Sequence, residues 1–169
     1  MLFRTTGPLG IGQILFELLR LLTERRETVL SQQEQEGHAR DAREWWARRR
    51  DQFDVVVSEL VLREAEGGDP VMAQRRLAVL GGLPRVALNE TALQLGKDFI
   101  RKRLLPEKAA EDGLHIAVAT VHQVDYLLTW NCTHIANPEI QARLARFVFN
   151  RGFVLPFICT PEQLLGGDP

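Results

Sequence analysis

Short apolar runs and longer amphipathic stretches alternate along most of the chain. Residues 53–57 form a β-branched run that ends at Ser58, a pattern typical of a strand followed by a helix N-cap. Further strands are predicted over residues 85–88, 126–129 and 153–157. Helical periodicity and start and stop signals predict helices over residues 39–50, 59–66, 70–80, 89–102, 106–121 and 138–150, and a last helical turn at residues 160–162. This order predicts an α/β fold, in which helices cover both faces of a mostly parallel central sheet.

The N-terminal part of the chain has a different pattern. Apolar residues recur at helical spacing over residues 12–26 and predict a helix there. Residues 31–37 are polar and glutamine-rich, which favours a loop or a frayed helix. We therefore divide the chain into an atypical, helical N-terminal segment, residues 1–38, and a single domain over residues 39–169.

Composition narrows the class of protein without naming a function. A chain of 169 residues is long enough for one domain with a hydrophobic core. The hydrophobic and charged fractions, 45% and 25%, are ordinary for a soluble globular protein. The net charge of −1 gives no support for a globally basic nucleic-acid binder, so a contact with RNA must come from a local patch or a bound metal ion.

One apolar stretch and two cysteines bear on the cellular compartment. Residues 11–22 are too few to cross a bilayer, and they include Glu17 and Arg20. The stretch also lacks the cleavage site of a secretory signal peptide, so we expect a cytoplasmic protein without a membrane segment. Cys132 and Cys159 form no CxxC motif and are expected to be reduced thiols.

Polar side chains stand at two places where a parallel sheet gathers its ligands. Asp112 lies at the start of an alanine-rich helix, and Asn131 follows the strand predicted over residues 126–129. Because strand carboxyl ends and adjoining helix starts share one edge of such a sheet, the two side chains can meet there. Their oxygen atoms suit a divalent cation.

Asp112 also departs from the rules for its surroundings. An aspartate inside a helix is neither a cap nor a good helix former, and Gly113 weakens the same turn, which points to a functional constraint. Glu111 projects about 100° away around the helix, so both carboxylates cannot face one metal ion. His115 shares the face of Asp112, where it bonds the carboxylate, approaches a phosphate or packs as an ordinary buried histidine.

Residues 40–50 combine Trp45 and Trp46 with five arginines. The pattern fits RNA binding through phosphate contacts and base stacking, or a protein interface. We favour an amphipathic helix whose tryptophans pack inside while its arginines face solvent.

The run from Phe53 to Asn137, which ends with LLTWNCTHIAN over residues 127–137, resembles a PIN domain, the nuclease fold of VapC-type toxins. The resemblance implies a ribonuclease that uses carboxylate-bound Mg²⁺ or Mn²⁺. It also implies the toxin of a type II toxin–antitoxin pair, a cognate antitoxin as partner, and a homodimer.

The resemblance assigns roles to five residues of this chain. Glu64 and Asp112 match two metal-binding carboxylates, and Asn131 stands where many PIN domains have a fourth aspartate. Thr129 and His115 are the implied substrate-binding residues. Glu59 and Asn137 are further candidates for the site, but each has a simpler explanation. The helix dipole accounts for Glu59 in a first turn, and Asn137 is expected to cap the helix that begins at Pro138.

The first carboxylate of the family is not evident in this chain. PIN domains carry it at the end of their first strand, whereas residues 13–19 here have a helical pattern. Glu17, the only acidic residue before Glu24, can replace it only if the local fold is not that helix. The alternative function is a catalytically impaired PIN-fold module that binds RNA or a protein.

Overall fold

The computed structural model describes residues 12–15, 32–129 and 137–165. At its centre is a five-stranded sheet in which every described pairing is parallel. The strands stand side by side in the order β3, β2, β1, β4, β5, which makes β1 the central strand. The predicted α/β fold is confirmed. The strand bounds are β1 (Gly12–Leu15), β2 (Asp54–Ser58), β3 (Arg85–Val86), β4 (Tyr126–Leu128) and β5 (Phe157–Cys159).

The described residues contain α1 (Gln32–Arg48), α2 (Glu59–Glu66), α3 (Pro70–Leu80), α4 (Glu90–Arg101), α5 (Ala110–Val121), α6 (Pro138–Phe149) and α7 (Pro161–Leu165). Two short 3-10 helices, Arg50–Gln52 and Glu107–Ala109, precede β2 and α5. Residues 32–37, predicted as a loop or a frayed helix, are helical and belong to α1. Within the described part of the chain, no helix is long and apolar enough to cross a bilayer.

Side-chain caps fix the start of four helices where the sequence predicts them. In each case a side-chain oxygen accepts a backbone N–H of the first turn at 2.9–3.3 Å. Such a bond satisfies a donor that the helix itself leaves unpaired. The caps are Ser58 for α2, Asp69 for α3, Asn89 for α4 and Asn137 for α6.

The helix predicted over residues 12–26 is wrong for residues 12–15, which form β1. Gly12 lies opposite Asp54 of β2, and Leu15 lies opposite Leu128 of β4. A central strand of a parallel sheet has a nearly continuous apolar sequence, which periodicity cannot separate from a buried helix. Residues 16–26 lie outside the described residues.

The predicted division after residue 38 falls inside a helix. α1 runs through it, and β1 on its N-terminal side pairs with β2 and β4 from its C-terminal side. The N-terminal part of the chain therefore supplies the central strand of the sheet.

The last strand begins later than predicted. Residues 153–157 were expected to be extended, but β5 covers Phe157–Cys159. The N–H of Phe153 donates to the carbonyl of Val148 at 3.1 Å, which ties residue 153 to the end of α6. Pro156 has no N–H for a sheet hydrogen bond, so pairing starts only after it.

A row of four aromatic rings crosses the amino ends of the strands. Phe53 directly precedes β2, while Tyr126 and Phe157 open β4 and β5. Ring centroids are 5.6 Å apart from Trp45 to Phe53, 6.3 Å from Phe53 to Tyr126 and 5.6 Å from Tyr126 to Phe157. We call these four residues the aromatic row. It runs from Trp45, which is fully buried, to Phe157, which is 72% exposed.

Glycines allow α4 and α5 to pack closely. A Cβ on Gly96 of α4 would lie 2.7 Å from the Leu114 Cδ2, and one on Gly113 of α5 would lie 3.2 Å from Leu105 Cδ1. A side chain at position 96 would require Leu114 of α5 to move, and one at position 113 would crowd Leu105 in the segment before α5. Close packing therefore gives a structural reason for Gly113, in place of the functional constraint that its turn suggested.

Candidate functional site

Glu64 and His115 meet between α2 and α5. The His115 Nε2 lies 3.0 Å from Glu64 Oε1, although the residues are 51 positions apart in sequence. His115 is 1% exposed, whereas the Glu64 side chain is 41% exposed. An ionised carboxylate can only accept, so Nε2 donates this hydrogen bond when Glu64 is charged. The arrangement fixes one oxygen of Glu64 against a buried ring and leaves the carboxylate accessible to solvent.

Glu59, the rival of Glu64 on the same helix, has a structural task. Its Oε2 accepts the backbone N–H of Leu88 at 3.0 Å. This bond links the first turn of α2 to the segment between β3 and α4 and satisfies a backbone donor. Glu59 therefore has a structural role, and of the other two carboxylates of α2, Glu64 and Glu66, Glu64 is the one that contacts His115.

The C-terminal end of α2 is fixed by a buried arginine. Arg76 of α3 is 4% exposed, and its Nε donates to the carbonyl of Ala65 at 2.9 Å. Its Nη2 donates to the carbonyl of Gly67. A cation at this end of a helix also interacts favourably with the helix dipole. Arg76 thus holds the turn of α2 that carries Glu64.

Asp112 occupies the first turn of α5 and is half-buried. It is the third residue of the helix and stands three positions before His115, so these side chains are neighbours, with Cβ atoms about 5–6 Å apart. The predicted position of Asp112 inside the helix was wrong, because α5 begins at Ala110 and not at residue 106. A carboxylate in a first turn is stabilised by the helix dipole.

Thr129 follows β4 at the carboxyl edge of the sheet. Its N–H donates to the carbonyl of Cys159 at 3.0 Å, and the residue is 1% exposed. The strand register places Leu15, Leu128 and Cys159 level with one another, so Thr129 stands just beyond this row. Ser58 and Thr160 end β2 and β5 at the same edge and are also buried.

Two candidate ligands lie outside the described residues: Asn131, and Glu17, which follows β1 by two positions in the sequence. Among the residues that the structure describes, no three histidine, cysteine or acidic side chains form a group able to hold a metal ion. The described part of the site is a pair of carboxylate positions, Glu64 and Asp112, that both adjoin His115.

Comparison with known proteins gives a weak structural likeness and no match in sequence. No family model and no curated protein matches the chain. Among solved structures, it is similar to VapBC2 from Rickettsia felis bound to a DNA fragment from their promoter, with 13% identity and a TM-score of 0.46. The match covers 88% of this chain and 97% of that chain. A TM-score this low does not establish a shared fold, so the site rests on the geometry above.

Cys159, at the end of β5, is a free thiol of low reactivity. Burial raises the pKa of Cys159 to about 11, because desolvation disfavours the thiolate. Since the thiolate is the nucleophilic form, this residue is unsuited to covalent catalysis near neutral pH. Cys132, predicted to be reduced as well, lies outside the described residues.

The tryptophans of α1 pack against the domain, as predicted for an amphipathic helix. Trp45 is fully buried and Trp46 is half-buried, with the guanidinium of Arg50 lying 5.3 Å from the Trp46 ring centroid. Arg40, Arg43 and Arg48 are exposed. α1 packs against α7, so this helix belongs to the folded domain.

Glu64 was not among the partners predicted for His115, yet the ring bonds it. The predicted contacts of the ring with Asp112 or with a phosphate stay predictions. The signal was indirect: if Glu64 and Asp112 share a site, a histidine one turn from Asp112 stands close to Glu64 as well. Arg76 gave no signal, because nothing local in the sequence shows which carbonyls it meets.

Proposed function

We propose that this protein is a VapC-like, PIN-type endoribonuclease that hydrolyses RNA phosphodiester bonds with a divalent metal ion. The observation that carries the proposal is the hydrogen bond between His115 and Glu64, beside the first turn of α5. It joins residues from the two segments to which the sequence resemblance assigns metal ligands. Glu64 and Asp112 are the proposed ligands, and Asn131 assists them.

The chemistry of these donors fits Mg²⁺ or Mn²⁺. Magnesium is bound in phosphate-processing sites by one or two carboxylates, and its other ligands are water and substrate phosphate oxygens. Two carboxylates with an accessible face, as at Glu64, match that requirement. When bound, the ion lowers the pKa of a water molecule and offsets charge on the phosphate.

The side chains of this chain prepare the site. His115 restricts the rotamers of Glu64, so less conformational entropy is lost when the carboxylate binds its target. Arg76 fixes the backbone of the same turn. Thr129, at the strand end, is 1% exposed, so the substrate contact that the resemblance implies for it stays a prediction. His115, at 1% exposure, acts on Glu64 in our proposal, and a phosphate contact by it stays a prediction.

Glu17 is our candidate for the first carboxylate. This role requires that residues 13–19 are not the predicted helix. Residues 12–15 meet the requirement, because they form the central strand β1. In the sequence, Glu17 comes two positions after the end of β1. In the sheet, β1 lies between β2, which is followed by Glu64, and β4, which is followed by Asn131. A carboxylate at that position completes a cluster of hard oxygen ligands at one edge of the sheet.

The cellular role follows from the resemblance alone. A VapC-type toxin is held inactive by a cognate antitoxin, forms a homodimer and acts in the cytoplasm. We extend these properties to this protein as proposals.

One observation favours the alternative of a PIN-like module that binds RNA or a protein without cleaving it. Within residues 12–15, 32–129 and 137–165, no metal-binding group of three ligands is present. A protein limited to Glu64 and Asp112 binds a divalent ion weakly, and loss of ligands reduces catalysis before it reduces folding.

Cleavage of single-stranded RNA tests the proposal directly. Wild-type protein is titrated with Mn²⁺ and with Mg²⁺ and compared with Asp112→Asn and Glu64→Gln. Each variant has a matched control that removes a carboxylate from the same helix: Glu111→Gln for Asp112 and Glu66→Gln for Glu64, both exposed in the structure. We expect metal-dependent cleavage in the wild type and both controls, and a loss of about a thousandfold in both site variants, which corresponds to about 4 kcal/mol.

The controls separate catalysis from charge. Equal loss in Asp112→Asn and Glu111→Gln means that net charge matters and not the site. Absence of cleavage by folded wild-type protein at every metal concentration contradicts the proposal and supports the binding module.

A further inference from the structure

A compact group of cations lies beside the first turn of α5, in a protein whose net charge is −1. Residues 97–108 include the end of α4 and most of the connection to α5. They contain five lysines and arginines but only two acidic residues, Asp98 and Glu107, a net charge of +3. Asp98 is 7% exposed and already pairs with Arg101 at 2.8 Å and Arg151 at 3.5 Å. Asp98 is therefore paired with Arg101 and Arg151 and with none of Lys102, Arg103 and Lys108.

Lys102, Arg103 and Lys108 are all exposed. In the described part of the chain, none of the three forms an ion pair with a carboxylate. The dipole of α4 accounts for Arg101 in its last turn, but Arg103 and Lys108 lie beyond the helix end. Their charge is available to a ligand.

A fourth cation comes from a distant part of the sequence. The Nη2 of Arg143, on α6, donates to the carbonyl of Arg103 at 2.6 Å. Arg103 adopts φ of 55°, a left-handed conformation that is uncommon for a residue with a side chain. We call Lys102, Arg103, Lys108 and Arg143 the basic surface.

The basic surface is fixed next to Asp112. Leu105, two residues after Arg103, packs against Gly113, the residue that follows Asp112. The carbonyl of Phe99 accepts the N–H groups of Leu104 and Leu105 at 2.9 and 3.2 Å, so the connection is held against the end of α4. Lys108, in the short 3-10 helix directly before α5, comes four positions before Asp112, so this part of the basic surface adjoins the first turn of α5.

We infer that the basic surface binds the phosphate backbone of single-stranded RNA and leads it to the Glu64–Asp112 site. The inference deepens the proposed function and rests on it for the direction of the strand. Backbone contacts by lysine and arginine give affinity without sequence preference, so the surface supplies binding while specificity comes from elsewhere.

The test measures RNA binding without cleavage. Fluorescein-labelled oligouridylate is titrated with protein in EDTA over a series of salt concentrations. The variant Lys102→Gln/Arg103→Asn/Lys108→Gln removes three cations, and asparagine is chosen because it tolerates the left-handed conformation. Its matched control, Arg43→Gln/Arg75→Gln/Arg85→Gln, removes three exposed cations elsewhere.

We expect the basic-surface variant to bind about tenfold more weakly at moderate salt. The slope of the logarithm of the binding constant against the logarithm of the salt concentration should become shallower by about 2. Each of the three lost phosphate contacts on a single strand contributes roughly 0.7 to that slope. The control should keep the wild-type affinity and slope.

Equal binding by the two triple variants overturns the inference, as does wild-type protein that binds no oligouridylate at low salt. Poly-glutamate that competes as well as RNA at equal charge also overturns it, since the surface would then fit an acidic protein. Cleavage assays on the same samples keep the two proposals apart. If the wild-type protein binds RNA through the basic surface but does not cleave it, only the nuclease proposal is contradicted. If the wild-type protein cleaves RNA and the basic-surface variant binds RNA as well as wild type, only the basic-surface inference is contradicted.

Discussion

The two ends of the parallel sheet differ in the residues that they carry. At the amino ends, the aromatic row packs ring against ring across β2, β4 and β5. At the carboxyl ends, β2 finishes in Ser58, and Thr129 and Thr160 directly follow β4 and β5. α2 and α5 bring Glu64 to His115 beside them. One end buries apolar surface, and the other positions polar groups. Under the proposed function, stability and chemistry depend on opposite edges of the sheet, so we expect substitutions to affect one without the other.

Removal of the buried end of the aromatic row should have the largest effect on stability. Trp45 is fully buried, so Trp45→Ala loses its packing and leaves a cavity, which costs about 3–5 kcal/mol. Urea unfolding followed by circular dichroism measures the change. Trp46→Ala is the control, since Trp46 is half-buried and Arg50 stacks on it. Equal losses from the two variants would show that the row is not a distinct stabilising element.

Substitution of His115 should affect metal binding more than stability, the reverse of what we expect for Trp45. His115→Gln weakens the hold on Glu64, and loss of such an orienting partner lowers metal affinity by roughly 10–100-fold. Mn²⁺ titration by calorimetry measures it, and Glu64→Gln provides the reference for a lost ligand. His122→Gln is the control, because His122 bonds the carbonyl of Ala87 away from Glu64. If His115→Gln binds Mn²⁺ as wild type does while the protein is only less stable, His115 is structural.

The exposed end of the aromatic row should give the smallest effect. Phe157 is 72% exposed, so Phe157→Ser should change the free energy of unfolding by less than about 1 kcal/mol. RNA cleavage should stay at the wild-type level. A larger loss of stability would mean that the exposed ring is covered in solution, and sedimentation velocity of wild type and variant would show whether a second copy covers it.

The sequence predicted helix starts better than it predicted the nature of apolar runs. Ser58, Asp69 and Asn89 carry local capping signals, and each caps its helix. Residues 12–15 were assigned to a helix because an apolar run carries no information on its neighbours, and only pairing with β2 and β4 makes it a strand.

The candidate residues came from the resemblance to PIN domains, which assigns Glu64 and Asp112 to one site, and that assignment stays a prediction. The bond from His115 to Glu64 depends on how α2 and α5 cross, which no local pattern in the sequence shows. The same crossing explains Gly113 by close packing, which local reasoning had interpreted as functional. Long-range contacts of this kind have no local signature in a single sequence.

The most direct test of the separation measures RNA cleavage and the free energy of unfolding together for Glu64→Gln and Phe53→Leu. We predict that Glu64→Gln abolishes Mn²⁺-dependent cleavage and changes the free energy of unfolding by less than about 1 kcal/mol, as expected for an exposed side chain. Phe53→Leu, in the aromatic row, should retain cleavage while losing about 1 kcal/mol of stability. Wild-type cleavage by Glu64→Gln would contradict the account.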